Sequence, residues 1–151
     1  MYKPYELLQK ILVEKSLIAT TTGYFRKNSV CLTEMTTRGL ITHSRKYSAF
    51  GLAFLKEYIF NKGGGPALYL REELLKTSEI ILDDRIQPFA NKLNPATHDF
   101  HYEREWRLPV DLNFCYDDVF IVYAPLKYHK EIKNNFPEIG ILLDIDLLSM
   151  I

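Results

Sequence analysis

The feature that most constrains this chain is the alternation in the stretch from His98 to Leu108. At period two, one face carries Phe100, Tyr102, Arg104, Trp106 and Leu108, and the other carries His101, Glu103, Glu105 and Arg107. Such alternation predicts a half-buried β-strand. A helix would put Phe100, Glu103, Arg104 and Arg107 on one face and mix apolar with charged groups. The strand is therefore expected to turn aromatics inward and a histidine, two carboxylates and a guanidinium outward.

The rest of the 151 residues frames that strand. Pro4 suits the first turn of a helix, where its missing N–H is not needed, and Leu7, Leu8, Ile11 and Leu12 follow at helical spacing. Strands are expected at Leu17 to Thr22, at Ser29 to Glu34 and over the apolar run Gly51 to Leu55, which reads as covered on both faces. Thr36 or Thr37 can cap a helix reaching Tyr47, with Leu40, Ile41 and Ser44 inward. Lys56 to Asn61 reads as a short helix, Gly63-Gly64-Gly65 as a turn, and Ala67 to Leu70 as a strand entered through Pro66. Glu72 to Asn94 reads as a partly helical connection or flap. A turn over Asn113 to Asp118, a strand over Val119 to Tyr123, a helix over Leu126 to Phe136, a strand over Ile139 to Leu143 and a helical tail complete the chain. Helices and strands mix without a βαβ rhythm. The expectation is a single α+β domain over 1–151, a mixed central sheet flanked by short helices.

Nineteen basic and nineteen acidic residues balance to a formal charge of zero. No global field therefore favours nucleic acid or membrane. No apolar run is long enough to span a bilayer and the start lacks a signal-peptide core, so a cytoplasmic protein without a membrane partner is expected. Cys31 and Cys115 sit among apolar neighbours and read as buried, reduced thiols.

Two glutamates on one strand face stand roughly 6.5–7 Å apart. Glu105 and Glu103 thereby become candidate catalytic carboxylates for cleavage at a sugar centre: one holds a ribose hydroxyl or the developing cation, and the other orients the nucleophile. Arg107 and His101, on the same face, can set both carboxylates' ionisation. The plain alternative is an exposed face whose charges pair across to a neighbouring strand. His98 and His101 do not make a metal site on a strand, because they point to opposite faces. Gly63-Gly64-Gly65 lacks the ending of a P-loop. The Lys127, His129, Lys130 and Lys133 helix reads as a solvated face.

The spaced motifs resemble those of the AbiGi type of abortive-infection proteins. They are Val30-Cys31-Leu32-Thr33-Glu34, His43 and Tyr47, Phe50-Gly51-Leu52 to Lys56-Glu57, Gly65-Pro66 with Tyr69, and Tyr102-Glu103-Arg104-Glu105-Trp106-Arg107. The resemblance covers Leu17 to Tyr123 and departs from the family at Leu32, where Phe is commoner, and at the chain's start. It implies a prokaryotic phage-defence protein of the toxin–antitoxin kind. A further resemblance, through Glu-x-Glu, is to ADP-ribosyltransferases. It implies an ADP-ribosyltransferase-like fold, NAD as cofactor, Glu105 on the nicotinamide ribose, Glu103 orienting a protein or nucleic-acid acceptor, and Tyr47 stacking on the nicotinamide, with His101 and Arg107 beside them. Those enzymes also place an Arg or His on their first strand, and Leu17 to Thr22 has neither. A non-catalytic antitoxin or sensor module, binding a cognate toxin or a phage component, is the alternative. A metal-dependent nuclease using His101, Glu103 and Glu105 is the third.

Overall fold

A computed structural model of the chain describes residues 3–34, 36–76, 82–97, 99 and 103–148. His98, Phe100, His101 and Tyr102 lie outside the described residues, so the expectations placed on them are carried no further. In chain order the elements are α1 (Pro4–Glu14), β1 (Ser16–Leu17), β2 (Thr20–Thr22), β3 (Lys27–Thr33), α2 (Thr37–Lys46), β4 (Gly51–Phe54), α3 (Lys56–Asn61), β5 (Gly65–Pro66), β6 (Leu68–Arg71) and α4 (Glu72–Lys76). There follow β7 (Ala90–Leu93), β8 (Glu105–Leu108), β9 (Leu112–Asn113), β10 (Val119–Tyr123), α5 (His129–Asn135), β11 (Leu142–Leu143) and α6 (Ile145–Leu148). The fold is α+β. In place of the expected single central sheet there are small separate ones. The segments gather into two compact units, each discontinuous in sequence.

The first unit comprises Met1–Ser16, Met35–Tyr58 and Asn113–Ile151. Its sheet has the order β11-β10-β4, with β11 parallel and β4 antiparallel to β10. The central strand buries Val119 and Val122 and turns Phe120 outward. β4 was expected to be covered on both faces, yet Gly51 to Phe54 are only half-buried. Its place at the sheet edge is the reason. Pro4 does open α1, which buries Leu8 and Leu12 at i, i+4, whereas Leu7 stays exposed. The expected strand over Ile139 to Leu143 shrinks to β11. The carbonyls of Ile139 and Gly140 accept from the Lys133 ammonium instead of a strand. The expected helix from Leu126 begins as a 3-10 turn, Leu126–Tyr128, before becoming α5.

α2 is capped as its sequence implies. The Gly39 N–H donates to Thr36 Oγ1 at 3.2 Å, satisfying one of the donors that a helix start leaves orphaned. Thr36→Ala is expected to lower stability by about 1 kcal/mol, measured by chemical denaturation; an unchanged midpoint would show that the cap contributes nothing.

The second unit comprises Leu17–Glu34 and Ile59–Leu112. β2 and β3 form a hairpin with Thr20 opposite Ser29 and Thr22 opposite Lys27. β3 then pairs antiparallel with β8, and β8 with β5, for the order β2-β3-β8-β5. β6 and β7 form a separate parallel pair. β7 falls inside the stretch expected to be a connection, and its polar Asn91 and Lys92 conceal it. The Gly63 to Gly65 turn is found before β5, with Gly63 at φ 94°. Buried side chains here include Val30, Ala90, Trp106, Leu108 and, alone among the described charged residues of this unit, Arg107.

Candidate functional site

β8 lies between β3 and β5, so both its edges are paired, and burial of successive residues along it means that both its faces are covered. Trp106, Arg107 and Leu108 are all buried, and Glu105 is half-buried. The expected outward row is therefore corrected at its most important member. Arg107 is not presented to solvent; it is 1% exposed. Across the sheet it stands opposite Cys31 on one side and Gly65 on the other.

A guanidinium so placed must have its donors satisfied. Nε donates to Glu105 Oε1 at 2.8 Å and Nη2 to Glu105 Oε2 at 3.3 Å. Nη1 donates to the carbonyls of Pro88 at 3.0 Å and Ala90 at 3.1 Å. The first two bonds form a two-point grip on the carboxylate, and the other two tie β8 to the segment entering β7. That segment is the connection expected to act as a flap; it packs down as a lid over a buried charge.

Glu105 is correspondingly occupied. Besides Arg107, the Tyr69 hydroxyl donates to Oε2 at 3.0 Å. Burial opposes ionisation of Glu105 most strongly, but the bonds and charge of Arg107, helped by Tyr69 and the Cys31 thiol, outweigh it. The carboxyl is held below the usual carboxylate range. Tyr69 is pushed far up in turn, first by burial and then by the adjacent carboxylate. It remains a neutral donor.

Glu103 does not join this arrangement as a strand-face neighbour. It precedes β8, and Arg104 between it and Glu105 is left-handed, with φ 46°. A left-handed residue breaks the two-residue repeat on which the Glu103/Glu105 pairing depended. The Glu103 carbonyl accepts from Thr33 Oγ1 at 2.5 Å. The carboxylate that does share the region is Glu34, at the end of β3. Its Oε1 takes Arg104 Nη2 at 2.7 Å and its Oε2 takes the Trp106 indole N–H at 3.0 Å. Glu34, Tyr69, Glu105 and Trp106, with Pro66, Ala67 and Arg104, line an open depression of about 260 Å³.

Glu34 and Tyr69 were not singled out as site residues from sequence. The signal was present, since both belong to the spaced motifs: Glu34 ends the Cys-x-Thr-acid strand and Tyr69 follows Gly65-Pro66. Tyr47 belongs to the first unit, just past α2, with its ring 4.4 Å from that of His43.

Cys31 was expected to be a buried thiol among apolar neighbours. It is exposed, and its cross-strand neighbour is Arg107. Partial burial of the sulfur nevertheless pushes the thiol up, away from the lowered range of an activated cysteine. Cys115 is exposed too, and its bond to Asp118 at 3.0 Å pushes it up. Among the described residues no cluster of His, Cys, Asp and Glu could hold a metal ion. Nor, among the described residues, is any helix long and apolar enough to cross a membrane.

These residues do not fit NAD as first assigned. Arg107 has spent four donor contacts within the protein, both Glu105 oxygens are engaged, and Glu103 is off the strand. No family model, curated protein or solved structure matches the chain.

Gly23 shows how tightly the centre is closed. It is left-handed, at φ 71°, and a Cβ there would collide with Arg107 Nη1 and approach the Ala90 carbonyl to 2.9 Å. Gly23→Ala is expected to cost more than about 2 kcal/mol, from strain at positive φ plus displacement of the guanidinium. Denaturant unfolding measures it, and a loss under about 0.5 kcal/mol, the ordinary range for a surface change, would mean that the turn does not confine Arg107.

Proposed function

We propose that this chain is a non-catalytic binding module of an abortive-infection system, an antitoxin or sensor whose β8 centre holds a recognition surface in shape. The observation that carries this reading is the closed bonding of Glu105. A catalytic carboxylate in dissociative ribosyl transfer needs an oxygen free to take a ribose hydroxyl or to face a developing cation. Here one oxygen receives Arg107 Nε and the other receives Arg107 Nη2 and the Tyr69 hydroxyl. Extracting Glu105 for substrate would strand a buried guanidinium, at a cost of about 3–5 kcal/mol.

The depression beside it supports the same reading. Its volume of about 260 Å³ is below the roughly 300–1,000 Å³ usual for small-molecule sites. Its lining of Trp106, Tyr69 and Pro66, with the engaged carboxylates of Glu34 and Glu105, suits a single side chain of a protein partner, seated as an anchor. The defence setting rests on the resemblance of the spaced motifs. The NAD-consuming ADP-ribosyltransferase is the competing reading.

Incubation with labelled NAD, alone and with cell extract, separates the two. The expected result is no nicotinamide release and no label transfer above background. Turnover by the wild-type chain that Glu105→Gln abolishes, with native Trp106 fluorescence retained, would overturn the proposal.

A further inference from the structure

The depression beside β8 lies wholly within the second unit, and one residue on it is not explained by folding. Among the described residues three non-glycine positions are left-handed: Lys15 at φ 50°, Arg26 at φ 52° and Arg104 at φ 46°. Lys15 ends α1 and Arg26 lies in the turn between β2 and β3, both places where positive φ is routine. Arg104 instead leads directly into a strand. Its carbonyl accepts the Glu34 N–H at 3.1 Å, a bond that any residue can make. Glycine would hold that backbone with less strain. What glycine lacks is the side chain.

Within the fold, that side chain does not offset the strain. The Arg104 guanidinium is 57% exposed and meets Glu34 in an ion pair, Nη2 to Oε1 at 2.7 Å. An exposed pair of this kind contributes less than a non-glycine residue loses in the left-handed region. Glu34 also keeps a second donor, the Trp106 indole N–H, at 3.0 Å.

The unspent hydrogen-bonding capacity around the depression is of one kind. Glu105 receives Arg107 and Tyr69, and Glu34 receives Arg104 and Trp106. The Tyr69 hydroxyl and the Trp106 indole are thereby spent on the same carboxylates. Arg104 differs. A guanidinium carries several N–H groups in a planar fork, and among the described residues only its Nη2 has an acceptor. What enters must therefore bring acceptors. Trp106, Pro66 and Ala67, also in the lining, suit a short apolar stem.

We propose that the depression selects a carboxylate of a protein partner, borne by an acidic side chain or by a chain end, and that Arg104 is the residue that reads it. This rests on the reading of the β8 centre as a support for recognition and names the chemistry recognised. The carboxylate would take the open N–H groups of Arg104 in the two-point geometry for which a guanidinium is suited, while Glu34 keeps Nη2. A cationic anchor fits less well, because it would compete with Arg104 for Glu34 and leave the open N–H groups unmatched. A phosphate also fits less well, since its nearly double charge would meet the Glu34 and Glu105 carboxylates.

The Trp106 indole N–H, the only one in the chain, gives a single nitrogen–proton resonance that reports binding beside it. The full chain is titrated at millimolar concentration with acetyl-Ala-Glu-Ala-amide and its Gln, Lys and phosphoserine counterparts, and with acetyl-Ala-Gln-Ala bearing a free C-terminal carboxylate. The expected result is a saturable shift with a carboxylate peptide, about tenfold tighter than with the Gln amide, the equivalent of one charge-assisted hydrogen bond. Whether the Glu side chain or the free terminus binds tighter identifies the source of the carboxylate, and either supports the proposal. Arg104→Gly should abolish the preference and leave the unfolding midpoint unchanged or raised, because glycine relieves the strain. Arg104→Lys should keep only part of the preference, since it retains the charge without the fork. Four results would overturn the proposal: no discrimination between the carboxylate and Gln peptides, tighter binding of the Lys or phosphoserine peptide, no shift with any peptide, or a preference that survives Arg104→Gly. A midpoint of Arg104→Gly well below the wild type would overturn it too, since the fold would then explain the side chain. Preference for the Lys peptide without NAD turnover would remove the carboxylate anchor and leave the binding module standing, so the two proposals fail separately.

Discussion

The second unit depends on one buried ion pair. Arg107 is 1% exposed and Glu105 lies two residues before it on the same strand, joined through Nε and Nη2. Placing a guanidinium in a protein interior costs several kcal/mol unless every donor finds a partner. Here the partners come from three places: the Glu105 carboxylate, the Pro88 carbonyl and the Ala90 carbonyl. The pair thus does more than neutralise charge, because it decides where the segment entering β7 must run. The Gly23 turn, too close to Arg107 to carry a Cβ, follows from the same requirement.

Around this pair the spaced motifs acquire a common meaning. Cys31 and Glu34 on the β3 side, Gly65-Pro66 and Tyr69 around β5 and β6, and Glu105-Trp106-Arg107 on β8 are far apart in sequence and meet in one region of the second unit. Trp106 and Arg104 converge on Glu34, while Tyr69 and Arg107 converge on Glu105. Each carboxylate therefore has a charged donor and at least one neutral donor. Such a fully satisfied network specifies geometry well, and it leaves little free capacity for ligand chemistry. That balance is the physical ground for reading the centre as a support for recognition.

Much of the fold was legible because local chemistry and tertiary packing agree. Pro4 marks the start of α1, Thr36 caps α2, and the β-prone run around Val119 becomes the central strand of its sheet. The failures have particular causes. β7 carries Asn91 and Lys92, whose polarity hides a strand stabilised by parallel pairing with β6. The last strand shortens because Lys133 takes the carbonyls six and seven residues further on, a side-chain bond with no periodic signature. Most instructive is the stretch ending at Leu108. Alternation identifies β8 but assumes that charge faces water. It cannot show that residues 88–90 close over that face, which turns Arg107 from a surface cation into a buried one. Nor does a period of two reveal that Arg104 is left-handed, which removes Glu103 from the row.

The claim that Glu105 and Arg107 are structural is tested most directly by the pH dependence of stability. A carboxyl held below its ordinary value of 4.5 stabilises the folded chain fully above that value, and the contribution disappears as pH falls through the lowered folded value. Denaturant unfolding of the wild type and Glu105→Gln, followed by the single tryptophan, Trp106, measures the margin between them. The account predicts a margin of about 3–5 kcal/mol at neutral pH that narrows steadily once pH drops below 4.5. A margin near zero at neutral pH, or one that does not change on acidification, would contradict it.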